Sequence, residues 1–268
     1  MKLVLVSLLC LSIFACKETP KEMKTESEVP EKVAEINDSM HPESLQKIFE
    51  AHGGLEAWNS KRTLSFEIPK PENTEKHTID LRSRDEKIEM PNTSMGSDGE
   101  TIWLLEEKGA YKGDAVFYHN LMFYFYAMPF VLADDGINYS EVEALEFEGK
   151  TYPGIRISYN DGVGISPKDE YFIHYNPDTY QMEWLGYTVT FRSGEKSDNI
   201  KWIRYNDWMN IGGLVLPKSL TWHEYEGRTI KAAREPLQFE NVTLSESPME
   251  VDFFLKPEKA KIVNGKTE

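Results

Sequence analysis

Cysteine is scarce in this chain of 268 residues, and both copies, Cys10 and Cys16, lie near its start. No thiol remains after residue 16, which excludes a structural disulfide, a cysteine nucleophile and a cysteine-ligated metal from the folded part. Histidine gives no metal signal either, because no two of the six stand at the spacing of a helix-borne metal pair. The sequence therefore predicts no metal site and no cofactor.

Basic residues are also in deficit, with 30 Lys and Arg against 45 Asp and Glu, and the formal net charge is −15. Binding to nucleic acid requires clusters of basic side chains that contact phosphates, so a nucleic-acid partner is excluded. The same negative field would repel an anionic bilayer surface. Any attachment to a membrane must therefore come from acyl chains, and two or more buried chains anchor firmly.

The start of the chain has the pattern of a secretory signal over residues 1–15. Lys2 precedes an apolar run at 3–15 that is too short to span about 30 Å of hydrocarbon. The residues just before Cys16 resemble a bacterial lipobox, which implies cleavage before Cys16 and lipid attachment to its thiol. The alternative is an ordinary secretory signal followed by a chance cysteine.

Beyond Cys16 the chain divides into a tether, one domain and a short tail. Residues 16–41 are charged and have sparse, aperiodic apolar side chains, which is typical of a flexible lipidated tether. We expect a single domain over 42–260 and a tail over 261–268. The domain begins with apolar residues at helical spacing, which predict an amphipathic helix over 43–51 with a continuation to Trp58.

After Trp58 the apolar period changes from helical spacing to two, which is the period of half-buried strands. The strand-like runs are 64–68, 77–81, 102–105, 155–159, 171–175, 184–191, 200–205, 214–225 and 237–244. Short turns rich in Gly, Asn and Asp separate many of them. The sequence thus predicts a mainly β domain with a few helices (α+β), built as a strongly curved antiparallel sheet or incomplete β-barrel.

Residues 115–133, called the aromatic segment below, break the strand pattern. They are apolar and aromatic on nearly all faces, so a helix here should be buried or should face a hydrophobic ligand. Pro129 should end or kink that helix. One interpretation makes a ligand pocket lined by Phe117, Leu121, Phe125 and Phe130, with Trp103 opposite. The other interpretation has the same side chains fill the half-barrel as its core.

Four short motifs resemble the outer-membrane lipoprotein carrier superfamily, the LolA/LolB-like proteins. They are SDGETIW at 97–103, MPFVL at 128–132, YFIHYNPDT at 171–179 and FFLKP at 253–257. The segment AHGGLEAW at 51–58 is similar to a family of uncharacterised bacterial lipoproteins. The resemblance implies an incomplete barrel under a helical lid, with a concave face that binds acyl chains. It also implies a basic residue that contacts the lid, and Arg82 and Arg84 both stand in a comparable place.

These observations predict a monomeric, non-enzymatic lipoprotein of the Gram-negative envelope. Its anchor would hold it to the outer membrane, on the periplasmic side or the cell surface, while the half-barrel binds an acyl chain or another hydrophobic molecule. One alternative is a surface module that recognises glycan or protein through exposed Trp and Tyr side chains. A second alternative is a hydrolase with carboxylates or His in the concavity, although no G-x-S-x-G nucleophile motif is present.

Overall fold

A computed structural model describes residues 41–263, apart from residues 108, 163 and 165. The predicted signal peptide, Cys16 and the tether up to residue 40 lie outside the described residues.

Two short helices begin the described chain, α1 at Glu43–Ala51 and α2 at Leu55–Asn59. They confirm the amphipathic helix predicted over 43–51 and its continuation. Helix α1 buries Leu45, Ile48 and Phe49 on one face, as the spacing of its apolar residues requires. Gly53 and Gly54 separate the helices with positive φ angles of 103° and 88°, a backbone conformation that glycine adopts readily.

In the described part of the chain, fifteen antiparallel strands follow and form two sheets. The strands that follow α2 are β1 at Thr63–Ile68, β2 at Glu75–Asp80, β3 at Glu86–Met90, β4 at Thr93–Ser97 and β5 at Ile102–Glu106. The next group is β6 at Ile137–Phe147, β7 at Lys150–Tyr159, β8 at Tyr171–Tyr175, β9 at Met182–Tyr187, β10 at Lys201–Ile211, β11 at Leu214–Glu226 and β12 at Thr229–Ala233. The last three are β13 at Leu237–Gln238, β14 at Glu240–Ser245 and β15 at Lys261–Ile262.

Sheet one has the strand order β14-β1-β2-β3-β4-β5-β15, and sheet two has the order β12-β11-β10-β9-β8-β7-β6. Residues 237–245 join them, because β13 pairs with β11 of sheet two and β14 pairs with β1 of sheet one. The β-structure is therefore one curled antiparallel half-barrel with a few helices, which confirms the predicted fold class. Pairing of β15 with β5 carries the strand structure past the predicted domain boundary at 260.

The main core lies on the concave side, between the two sheets. Alternate residues of the strands point into it, and helix α1 and the aromatic segment complete it. Trp184 and Trp202 point the other way and form a separate cluster with Leu145 and Tyr152 on the opposite face of sheet two. Sheet two is consequently buried on both faces over part of its area.

Strand β6 is the longest element that the sequence pattern did not predict. A bulge between Val142 and Leu145 interrupts its pairing with β7, and so interrupts the alternation of apolar residues along it. As the edge strand of sheet two, β6 also leaves many of its side chains exposed. Strands β3 and β4 were likewise absent from the predicted runs.

Candidate functional site

The aromatic segment crosses from β5 of sheet one to β6 of sheet two as three short helices. They are α3 at Ala115–Tyr118, α4 at Leu121–Tyr126 and a 3-10 helix at Phe130–Ala133. The Asp114 carboxylate caps α3 by accepting hydrogen bonds from the N–H groups of Val116 and Phe117, both at 3.1 Å. Asn120, at φ 61°, separates α3 from α4, and asparagine tolerates this left-handed conformation better than most residues.

Much of the aromatic segment fills the interior of the half-barrel. Phe130 stacks on Trp58 with ring centroids 4.6 Å apart, and Tyr126 stacks on Phe66 at the same distance. The hydroxyl of Tyr205 donates to the carbonyl oxygen of Phe125 at 2.8 Å. Phe125 and Phe130 are both almost completely buried in this core. The centre of the half-barrel is therefore packed with side chains.

A cavity of about 350 Å³ remains at one end, between α3, α4 and the nearby strands and loops. It is called the α3–α4 cavity here. Its apolar and aromatic lining residues are Val116, Phe117, Leu121, Tyr124, Tyr159, Tyr171 and Phe191. Its polar lining includes Arg84, His119, Asn120 and Asp169. Apolar walls with a few polar groups are the usual composition of a small-molecule site.

The structure brings together two of the five side chains predicted to line a ligand pocket. Phe117 and Leu121 line the α3–α4 cavity, and the Phe117 ring lies 5.3 Å from that of Phe191. Phe125 and Phe130 belong to the packed core. Trp103 is fully buried elsewhere, where its indole N–H donates to the carbonyl oxygen of Phe254 at 3.0 Å. Ligand binding by these residues stays a prediction.

Arg84, not Arg82, contacts the aromatic segment. The guanidinium of Arg84 pairs with the Asp134 carboxylate at 2.6 Å and lies 5.1 Å from the centre of the Phe123 ring. Burial raises the pKa of Asp134, although the adjacent Arg84 acts to lower it. Arg82 is exposed, and its backbone N–H donates to the Asp80 carboxylate at 2.9 Å. The ion pair thus joins the β2–β3 turn to the residue that directly follows the aromatic segment.

A buried charged cluster fixes the other end of the segment. The imidazole of His77 lies 3.1 Å from the Glu86 carboxylate and 3.5 Å from that of Glu75. The Tyr118 hydroxyl donates to Glu75 at 2.5 Å, and the backbone N–H of Asn120 donates to Glu86. These contacts connect β2 and β3 to the junction of α3 and α4.

His77 and Glu75 of this cluster shift each other's pKa. Burial acts to lower the pKa of His77, but the two glutamates outweigh it and the net shift is upward. Burial acts to raise the pKa of Glu75, but the nearby His77 imidazole together with hydrogen bonds from Lys70 and Tyr118 outweighs it and lowers the pKa to about 2. His77, Glu75 and Glu86 are all buried, so this cluster lies inside the protein and joins β2 and β3 to the aromatic segment.

His52 is a second buried histidine that holds elements together. Its Nδ1 lies 3.0 Å from the carbonyl oxygen of Val215, and its Nε2 accepts a hydrogen bond from the backbone N–H of Met182 at 3.1 Å. Burial lowers the pKa of His52 to about 4, which keeps the ring neutral at neutral pH. His52 is therefore a hydrogen-bonded core residue that ties the end of α1 to β9 and β11.

A second depression, of about 710 Å³, lies between α1 and strands β6 and β7. Its lining is more polar and includes Lys47, Tyr139, Tyr175 and Tyr180. The Lys47 ammonium lies 5.1 Å from the centre of the Tyr180 ring and pairs with Glu43. Among its described lining residues, none has a buried side-chain polar atom without a hydrogen-bond partner. The α3–α4 cavity differs in this respect, because three of its lining residues have such an atom.

Comparison with known proteins identifies the family of the chain. A family model described as a family of unknown function, DUF6503, matches residues 4–211. The chain belongs to the DUF6503 family. No curated protein matches it.

Comparison with solved structures finds several that are similar to this DUF6503 protein at low identity. A LolA superfamily protein from Nitrosomonas europaea matches at 9% identity and a TM-score of 0.45, over 76% of this chain and 93% of that one. A DUF1329 family protein from Desulfovibrio piger matches at 10% identity and a TM-score of 0.45, over 75% and 91%. A domain from Vibrio parahaemolyticus, described as an outer membrane lipoprotein-sorting protein, matches at 9% identity and a TM-score of 0.41, over 79% and 97%.

The two alternative functions depend on exposed Trp and Tyr side chains or on carboxylates and His that lie close together. Trp184 and Trp202 are fully buried, and Trp208 and Trp222 are half-buried, so these four side chains do not form an exposed row. Within the described range, no three His, Cys, Asp or Glu side chains are placed to hold a metal ion. Among the helices of that range, none has the length and apolar character needed to cross a membrane.

Sequence reasoning missed three polar residues of the α3–α4 cavity, Asn120, Tyr159 and Asp169. They come from three separate parts of the chain, the α3–α4 junction, the end of β7 and the loop before β8. No local motif connects them. The one available signal was Asn120 in an otherwise apolar segment, where a polar residue calls for a reason.

Proposed function

We propose that this DUF6503 protein is a lipid-anchored protein of the Gram-negative envelope that binds one hydrophobic chain in the α3–α4 cavity. The observation that carries the proposal is the contrast inside the half-barrel. Its centre is filled by the aromatic segment, whereas one end keeps an apolar cavity next to Phe117 and Leu121. A cavity of about 350 Å³ is near the lower end of ligand sites, which suits a single slender chain.

The proposed anchor is the thiol of Cys16, acylated after removal of residues 1–15. It would hold the protein at the outer membrane, facing the periplasm or the cell surface, as a local lipid handler. Metabolic labelling with an alkyne analogue of palmitate tests the anchor. The wild-type protein should carry the label, Cys16→Ala should not, and label on the Cys16→Ala protein would contradict acylation at this residue.

Extraction of bound molecules tests the binding function directly. We would purify the chain from residue 17 onward, extract it with organic solvent and identify the extract by mass spectrometry. Leu121→Trp fills the cavity, while Leu255→Trp makes the same change at a side chain that is 53% exposed and outside the cavity. Forcing a chain into the filled cavity should cost roughly 1–3 kcal/mol, or about tenfold in occupancy.

The expected result is a chain-bearing molecule on the wild-type and Leu255→Trp proteins, and about tenfold less on Leu121→Trp. Equal amounts on all three proteins would place the bound molecule outside the α3–α4 cavity. No bound molecule, together with no uptake of added long-chain lipids, would refute the proposed function.

A further inference from the structure

Three residues that line the α3–α4 cavity carry a buried polar atom with no hydrogen-bond partner in the described part of the chain. The atoms are Nη1 of Arg84, Oδ1 of Asn120 and the hydroxyl oxygen of Tyr159. Leaving a buried polar group unpaired costs about 1–3 kcal/mol, so native proteins keep few of them. Three such atoms on residues that line one cavity are groups that the polar head of a ligand can pair.

The backbone holds two of these residues in place. Arg84 and Asn120 both have left-handed conformations, with φ angles of 66° and 61°. Nη2 of Arg84 pairs with Asp134, and the Asn120 backbone N–H donates to buried Glu86. Non-glycine residues in this conformation cost energy, and they concentrate at binding sites where the surrounding structure fixes them.

The chemistry of the three atoms limits the polar head of the ligand. Arg84 Nη1 can only donate a hydrogen bond, Asn120 Oδ1 can only accept one, and the Tyr159 hydroxyl can do either. An ionised carboxylate offers acceptors alone, and an ammonium offers donors alone. A hydroxyl or an amide offers both, so it can pair with Arg84 and Asn120 together.

The charges around the cavity also favour an uncharged head. Asp134 already neutralises Arg84, and Asp169 adds a further acidic side chain to the cavity wall. Burial raises the pKa of Tyr159, the neighbouring Tyr171 and Tyr124 raise it further, and Asp134 and Asp169 add smaller contributions in the same direction. Arg84 is the only Lys or Arg among the described residues that line the cavity, so an anionic head would meet the acidic groups with no further basic side chain to offset them.

We infer that the ligand of the α3–α4 cavity is an amphipathic molecule with one apolar chain and an uncharged head that carries hydroxyl or amide groups, as in a monoacylglycerol. Arg84, Asn120 and Tyr159 hydrogen-bond this head, while Phe117 and Leu121 contact the chain. The inference rests on the proposed function and specifies the class of ligand for the same cavity.

The test compares three ligands that share one chain and differ only in their heads. Monooleoylglycerol, oleate and oleylamine are titrated into the protein from residue 17 onward, and binding is followed by calorimetry. Monooleoylglycerol should bind about tenfold more tightly than the other two, the equivalent of roughly one well-formed hydrogen bond. Tighter binding of oleate or oleylamine would overturn the inference and assign a charged head.

Two tyrosine variants give a matched pair. Tyr159→Phe removes an unpartnered hydroxyl from a residue that lines the cavity, and Tyr126→Phe removes an unpartnered hydroxyl from a residue that is not among those given for its lining. Neither hydroxyl has a hydrogen-bond partner among the described residues, so neither change should lower the melting temperature. Tyr159→Phe should weaken monooleoylglycerol binding about fivefold to tenfold, and Tyr126→Phe should leave it unchanged.

The outcomes separate this inference from the proposed function. If the three ligands bind equally, Tyr159→Phe has no effect and Leu121→Trp still blocks binding, then the chain site stands and the uncharged head is refuted. If none of the ligands binds the wild-type protein, the proposed function itself is refuted.

Discussion

Replacement of His52 should change how the stability of this protein depends on pH. The ring is fully buried, is neutral at neutral pH and makes one hydrogen bond to β11 and one to β9. His52→Phe keeps an aromatic ring but leaves the Val215 carbonyl and the Met182 N–H without partners. At about 1–3 kcal/mol for each buried unpaired group, the loss near neutral pH is roughly 2–6 kcal/mol.

The pH dependence follows from the lowered pKa. In the unfolded chain His52 takes up a proton near its ordinary pKa of 6.5, whereas burial lowers the pKa to about 4 in the folded protein. Its contribution to stability is therefore complete above pH 6.5 and is lost as the pH falls toward 4. Between about pH 7.5 and pH 5 this loss amounts to about 2 kcal/mol, which the Phe variant does not show.

Denaturant unfolding at the two pH values measures both effects. His174, whose pKa is also lowered to about 4 by burial, is present in every variant and cancels in the comparison. His52→Gln serves as a second variant, since its amide can both donate and accept but does not titrate. It should lose less stability at about pH 7.5 than His52→Phe and show the same flatter pH dependence. A pH dependence identical to that of the wild type in both variants would refute the reasoning.

Two further substitutions test contacts that position the helices. In Gly53→Ala the new Cβ would lie 2.3 Å from the carbonyl oxygen of Gly213, at a φ of 103°, so we expect a lower melting temperature and a loss of about 1–3 kcal/mol or more. An unchanged melting temperature would show that the close approach of Gly53 to the Gly213 carbonyl does not limit stability. Arg84→Gln removes the ion pair with Asp134, and amide hydrogen exchange in α4 should become faster while that of sheet two stays the same. Unchanged exchange in α4 would mean that the pair does not hold the aromatic segment.

Periodicity predicted the parts of the fold in which one side of an element is buried. Helix α1 and strands such as β8 appear where the apolar spacing placed them, because each buries one face or alternates across a sheet. Strand β6 escaped prediction because its bulge disturbs the alternation. Strands β3 and β4 have only weak apolar alternation. They form by pairing with neighbouring strands, which a short stretch of sequence does not include.

The candidate site was predictable only in outline. The all-round apolar character of the aromatic segment indicated burial, but it could not decide between a filled and a hollow half-barrel. That choice depends on contacts such as Trp58 with Phe130, which join residues far apart in the chain. The cavity polar groups at Arg84, Asn120 and Tyr159 meet for the same reason, through the pairing of strands and not through a motif.

Crystallisation of the protein with monooleoylglycerol would test the central claim most directly. The account predicts electron density for one acyl chain in the α3–α4 cavity, in contact with Phe117 and Leu121. Density for the chain in the depression beside α1, or a ligand-free α3–α4 cavity at saturating monooleoylglycerol, would contradict it.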